Sequence, residues 1–92
     1  MIKYLFEFFV KEEYKEEFKT EIDLLKKSAM SELGCVLFDY ITVKNCFIII
    51  EYWEDINSFN NHSRQENTLN FRKKVSNIIL RKRIKYNLFQ AD

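Results

Sequence analysis

Apolar and polar positions alternate between two rhythms along the chain. Ile2–Val10 is dense in aromatic and β-branched residues, the signature of a strand. From residue 11 to about 31 the period lengthens. Tyr14, Phe18, Ile22, Leu25 and Ala29 recur at spacings of four and three, which predicts a helix with one apolar stripe and one charged face. Gly34 stops it, and Cys35–Val43 and Cys46–Trp53 form a hairpin around Lys44-Asn45, with Asn supplying the turn. Asp55 is placed to cap a short helix through residue 61, and Ser63 with Glu66 fits a capping box that opens another. Phe71, Val75 and Ile78/Ile79 form the buried stripe of that helix, and His62 falls at the joint between the two. Residues 81–89 alternate Arg81, Arg83 and Lys85 with Ile84, Tyr86 and Leu88 and close the chain with a strand. The order is β-α-β-β-α-β, a ferredoxin-like α+β fold on a four-stranded antiparallel sheet, in one domain of 92 residues.

The hairpin sorts side chains by face. Partners whose numbers sum to 89 lie opposite, so Val36, Phe38, Tyr40 and Thr42 share a face with Phe47, Ile49, Glu51 and Trp53. The other face carries Leu37, Asp39, Ile41, Val43, Cys46, Ile48, Ile50 and Tyr52. Both are mostly apolar, whereas a sheet with one wet face alternates. The helices cover only one side. The expected cover for the other is a second copy, sheet against sheet, in a homodimeric α/β barrel.

Composition narrows the chemistry. A content of 47% hydrophobic and 32% charged residues is that of a globular domain, and a formal charge of +1 predicts no dominant polyanion partner. The charge is uneven. Residues 11–32 hold five Lys and seven acids, whereas residues 64–85 hold eight Lys or Arg and one Glu. The basic stretch reads either as an anion-binding face or as a solvated, charge-protected edge. No apolar run approaches a membrane span, and Lys3 and Glu7 interrupt the first strand in a way that argues against a signal peptide. Cys35 and Cys46 stand at opposite ends of the hairpin, about 26 Å apart at roughly 3.3 Å per strand residue. They cannot bridge, and the expectation is a reduced, cytoplasmic protein.

One His and two distant Cys do not make a standard zinc site. The chain has no Ser-His-Asp signature, P-loop or dinucleotide fingerprint. RNA-recognition domains share this strand order, but their aromatic signature needs glycines, and Gly34 is the only one here.

The segment from Glu32 to His62 carries a family resemblance. Glu32-Leu33-Gly34-Cys35, the strand through Tyr40, Phe47-Ile48-Ile49-Ile50-Glu51-Tyr52-Trp53, and then Asp55, Phe59 and His62 resemble the antibiotic biosynthesis monooxygenase family. These are small dimeric α+β barrels that include quinol oxygenases, and the likeness runs over nearly the whole chain. Many relatives carry a second His five residues after the first, where this chain has Asn67. Aromatic-polyketide oxygenases place a strand Asn where Ile49 stands and a helix Tyr where Phe59 stands. A phospho-sugar isomerase branch is similar around Gly34, Phe38-Asp39 and His62, and its basic tail is echoed in Arg81-Lys82-Arg83.

The resemblance implies a monooxygenase using neither metal nor flavin. Its substrate, a small aromatic or quinol-like molecule, supplies the electrons. Such a site needs a dry apolar cavity and one base of accessible pKa. Trp53, Phe38, Phe47, Ile49 and Phe59 are the candidate lining. His62, the only side chain titrating near neutrality, is the candidate base, and Tyr40 and Glu51 are the candidates to orient the reacting oxygen. Each has a plainer competitor: a hydrogen bond across the helix joint for His62, core packing for Trp53, a rim ion pair for Glu51. A non-catalytic ligand-binding or stress-response barrel is the alternative.

Overall fold

A computed structural model of the chain describes residues 1–88, side chains at 82 and 83 excepted. Phe89 and the Arg83 side chain therefore lie outside the described residues. The elements run β1 (Ile2–Val10), α1 (Lys15–Ala29), β2 (Cys35–Val43), β3 (Cys46–Trp53), α2 (Ile56–Arg64), α3 (Glu66–Val75) and β4 (Ile79–Asn87). Every neighbouring pair in the sheet, ordered β2-β3-β1-β4, is antiparallel. This is the expected ferredoxin-like arrangement, with its second helical unit in two pieces.

Helix α1 buries Phe18, Ile22, Leu25 and Ala29 against the sheet. Glu16 and Glu17 in its first turn and Lys26 and Lys27 in its last match the helix dipole. Tyr14, expected at the head of the stripe, lies in a 3₁₀ turn ahead of the helix and is exposed. The helix ends at Ala29, so Gly34 is not its terminal residue. Gly34 has φ +87°, and its carbonyl accepts the Glu54 N–H at 2.8 Å. A Cβ there would collide with Ser58 Oγ and stand 2.5 Å from Ser58 Cβ. Glycine is required both for the left-handed backbone and for the close approach of α2.

The hairpin pairs Phe38 with Glu51 and Val43 with Cys46 as expected, until a bulge between Cys35 and Leu37 places Cys35 rather than Val36 opposite Trp53. At the turn, Lys44 takes the left-handed conformation (φ 55°), not Asn45. Asp55 caps α2 by accepting the Ser58 N–H at 2.8 Å. The expected capping box is not formed. Ser63 lies inside α2 and donates to the Phe59 carbonyl, and the chain breaks instead at Gln65, which is extended (ψ 145°).

The core lies between helices and sheet and is largely aromatic. Phe18 packs on Phe47 and Phe8 at ring distances of 4.6 and 5.4 Å, and Phe59 meets Tyr4 edge-on at 4.6 Å. On the opposite sheet face, Leu37, Ile41 and Val43 are exposed, as are Ile84 and Tyr86, beside half-buried Leu5, Phe9, Ile48, Ile50 and Tyr52. Part of the basic segment is spent on aromatic rings of β1. Arg81 stacks over Phe9 at 3.9 Å and Lys85 over Tyr4 at 4.0 Å. No helix among the described residues is long and apolar enough to cross a membrane.

Candidate functional site

His62 occupies the last turn of α2, one turn after Phe59, and both point at the sheet. Its ring is 3% exposed. Nδ1 lies 2.9 Å from Glu32 Oε1 and 3.4 Å from Thr68 Oγ1, and Nε2 lies 3.7 Å from Glu51 Oε1. The same Glu51 oxygen accepts the Trp53 indole N–H at 3.0 Å. Trp53 lies under the imidazole, with ring centroids 4.6 Å apart and planes inclined by 30°, and Phe38 meets it edge-on at 5.9 Å. A single imidazole thus lies between two carboxylates on an aromatic bed.

Burial sets the charges. It pushes the Glu32 carboxyl from its ordinary 4.5 up to about 7. Burial, aided by the Arg72 guanidinium, pushes the His62 imidazole from 6.5 down to about 4. Near neutrality the ring is uncharged and carries one proton, whose position depends on Glu32. With Glu32 protonated, its O–H donates to Nδ1 and Nε2–H faces Glu51. With Glu32 ionised, Nδ1–H donates to it and Nε2 is left as an acceptor. The second Glu32 oxygen, Oε2, is buried with no hydrogen-bond partner among the described residues.

His62, Glu51, Thr68 and Arg72 line a cavity walled by apolar side chains that include Phe6, Ile49, Phe59 and Phe71. Its volume is about 20 Å³, room for one water. Of the residues expected from the sequence, His62, Glu51, Ile49 and Phe59 meet here. Trp53 and Phe38 support the imidazole from within the core, at 0% and 1% exposure, and do not line the cavity. Phe47 packs against Phe18 and Tyr40. Tyr40 itself donates its hydroxyl to Asp23 on α1 at 2.5 Å, and burial together with that bond raises its pKa. It straps β2 to α1 and does not line the cavity.

Three participants are not among the site residues read from the sequence. Glu32 enters there only as the first residue of the Glu32-Leu33-Gly34-Cys35 resemblance, Thr68 has no motif, and Arg72 falls within the basic stretch. Among the described residues no group of three or more His, Cys, Asp or Glu side chains is placed to hold a metal ion.

A sequence model of the antibiotic biosynthesis monooxygenase family matches residues 1–74. The chain belongs to that family. Solved structures agree on the fold. A provisionally named antibiotic biosynthesis monooxygenase of Nitrosomonas europaea superposes with a TM-score of 0.94 over 100% of both chains at 18% identity. A protein of Mycobacterium tuberculosis gives 0.92 at 16% identity, over 99% of this chain and 95% of its own. A provisionally named family member from Deinococcus radiodurans gives 0.86 at 14%, over 100% and 96%. No protein of curated function matches the sequence. At these identities the structural likeness establishes the family fold and leaves the substrate to the site.

Proposed function

We propose that this family member is a monooxygenase working without metal or flavin on a small aromatic or quinol-like compound, with His62 as its base. The observation that carries this reading is the uncharged, buried imidazole held at Nδ1 by Glu32. Once Glu32 is ionised, Nε2 accepts the phenolic proton, and the carboxylate stabilises the imidazolium that forms. The resulting electron-rich anion reacts with O2. For a hydroquinone the products are a hydroxyquinone and water: one oxygen atom enters the ring, the other leaves as water, and the quinol is the sole reductant. Glu51, fixed by the Trp53 indole, orients the substrate hydroxyl, and Ile49 and Phe59 give the ring apolar contact.

The exposed apolar sheet face supports a homodimer joined sheet to sheet, and two free thiols, Cys35 and Cys46, support residence in the cytoplasm. A second reading is favoured by the cavity volume, which admits a water and not a ring. On that reading the chain is a dimeric barrel that keeps the fold without turnover. Oxygen uptake with a panel of hydroquinones separates the two. The oxygenase reading requires uptake that disappears in His62→Ala. Uptake that persists in that variant removes His62 from the mechanism, and no uptake across the panel leaves the non-catalytic barrel. Sedimentation as a lone 11.3 kDa species at micromolar concentration would refute the dimer.

A further inference from the structure

The buried cavity beside His62 has a larger neighbour. On the outer side of the helical layer, a groove of about 280 Å³ runs between α1 and α3. Leu25 and Phe71 line both spaces, so these two side chains stand between the wide groove and the narrow cavity. We infer that the groove is an outer binding site for a small neutral phenol and that Leu25 and Phe71 gate its passage to His62. The inference rests on reading the His62 cavity as the place of reaction.

The walls specify the ligand class. The floor is apolar, and the rim carries groups that both donate and accept: Asn67, whose amide donates to Ser28 Oγ at 2.7 Å, and Asn70. At the end of the groove Lys74 pairs with Glu21 at 3.6 Å, so the two charges offset each other and the groove carries no net charge. A flat ring bearing one or two hydroxyls matches this surface, and the volume is near the lower end of ordinary ligand sites, about 300 Å³. The gate is held shut by ring contacts, with Phe71 edge-on to Phe8 at 6.0 Å and to Phe18 at 5.7 Å. Gln65 breaks the chain between α2 and α3 and gives α3 no side-chain cap, so opening draws Phe71 off the partition by a tilt of α3 about that residue, which must release the Asn67–Ser28 bond and the Lys74–Glu21 pair.

Trp53, the only tryptophan, packs directly behind the inner end, with its indole under His62 and bonded to Glu51, two residues that line the cavity. Quenching of its fluorescence by acrylamide measures passage without requiring turnover. Phe71→Leu should raise the quenching constant severalfold, and adding Asn70→Tyr, at an exposed helix position that fills the groove, should return it toward the wild-type value. In the wild-type protein, phenol should shift the side-chain amide resonances of Asn67 and Asn70. A Phe71→Leu rise that Asn70→Tyr does not reverse, no rise at all, or Asn67 and Asn70 amides unmoved by phenol would each overturn the gate. Quenching and amide shifts as expected without oxygen uptake from any hydroquinone would leave the gated site standing and remove the oxygenase reading.

Discussion

Replacing Glu32 by glutamine isolates the charge of one buried carboxyl while keeping its shape. In the unfolded chain this group ionises near 4.5, and in the fold burial holds it protonated up to about 7. Between those values the folded protein binds more protons than the unfolded chain. Stability therefore falls as pH rises from 4.5 through 7 and levels off above. At roughly 1.4 kcal/mol per pH unit the full interval corresponds to about 3 kcal/mol. The side chain keeps 16% exposure, and partial access of water brings the expected loss to roughly 1–2 kcal/mol. His62 works from the other side. Its folded pKa of about 4 lies below the ordinary 6.5, so stability also falls as pH drops from 6.5 through 4. The wild-type optimum thus lies between about 4.5 and 6.5, where both groups are neutral. Urea unfolding at pH 5, 6, 7 and 8 tests this directly. Glu32→Gln should match the wild type to within a few tenths of a kcal/mol at pH 5. It should be more stable by roughly 1–2 kcal/mol at pH 8, because an amide has no charge to bury. A constant difference between the two proteins across this range would refute the burial of an ionising Glu32. In hydroquinone oxidation the same substitution should abolish the limb that rises through pH 7 in the wild type.

Three further substitutions test the frame around the site. Gly34→Ala adds a left-handed alanine, costing roughly 1–2 kcal/mol, and a collision with Ser58 costing roughly 1–3 more. Pairing it with Ser58→Gly should relieve only the collision, so a thermal double-mutant cycle showing no coupling would refute the contact. Asp55→Ala removes the cap of the helix that carries His62 and should cost about 1 kcal/mol in urea unfolding; an unchanged midpoint would show that the Ser58 N–H bond carries nothing. Tyr40→Phe should cost roughly 0.5–1.5 kcal/mol through the lost Asp23 bond and leave oxygen uptake with hydroquinone at the wild-type rate. Lost uptake in a folded Tyr40→Phe protein would return that hydroxyl to the chemistry.

The fold was legible in the sequence because its strongest signals are local. The four-and-three spacing of Phe18, Ile22, Leu25 and Ala29 describes a helix face that the tertiary structure then buries unchanged. The hairpin register followed from a two-residue turn and holds over Phe38–Val43, failing only where a bulge, which periodicity cannot show, swaps Cys35 for Val36 opposite Trp53. Ser63 and Glu66 misled because a capping box is a pattern of residue types, and a hydroxyl already inside a helix bonds backward to its own turn just as well.

Half of the site was hidden for a different reason. His62, Glu51, Ile49 and Phe59 lie on faces that periodicity assigns to the interior, whereas Glu32 sits in a loop, where sequence reading treats a carboxylate as solvated. Its burial depends on how closely α2 settles over that loop. The closeness comes from Gly34, whose missing Cβ leaves space for Ser58. Ser58 lies one helical turn before His62, and Glu32 lies two residues before Gly34, so the contact that seats the helix also sets the imidazole against the carboxyl at 2.9 Å. The only glycine in the chain and its only histidine are therefore parts of one device. The glycine admits the helix, the helix excludes water, and the loss of water moves the two pKa values toward each other and past, leaving a neutral imidazole beside a carboxyl that gives up its proton at about 7.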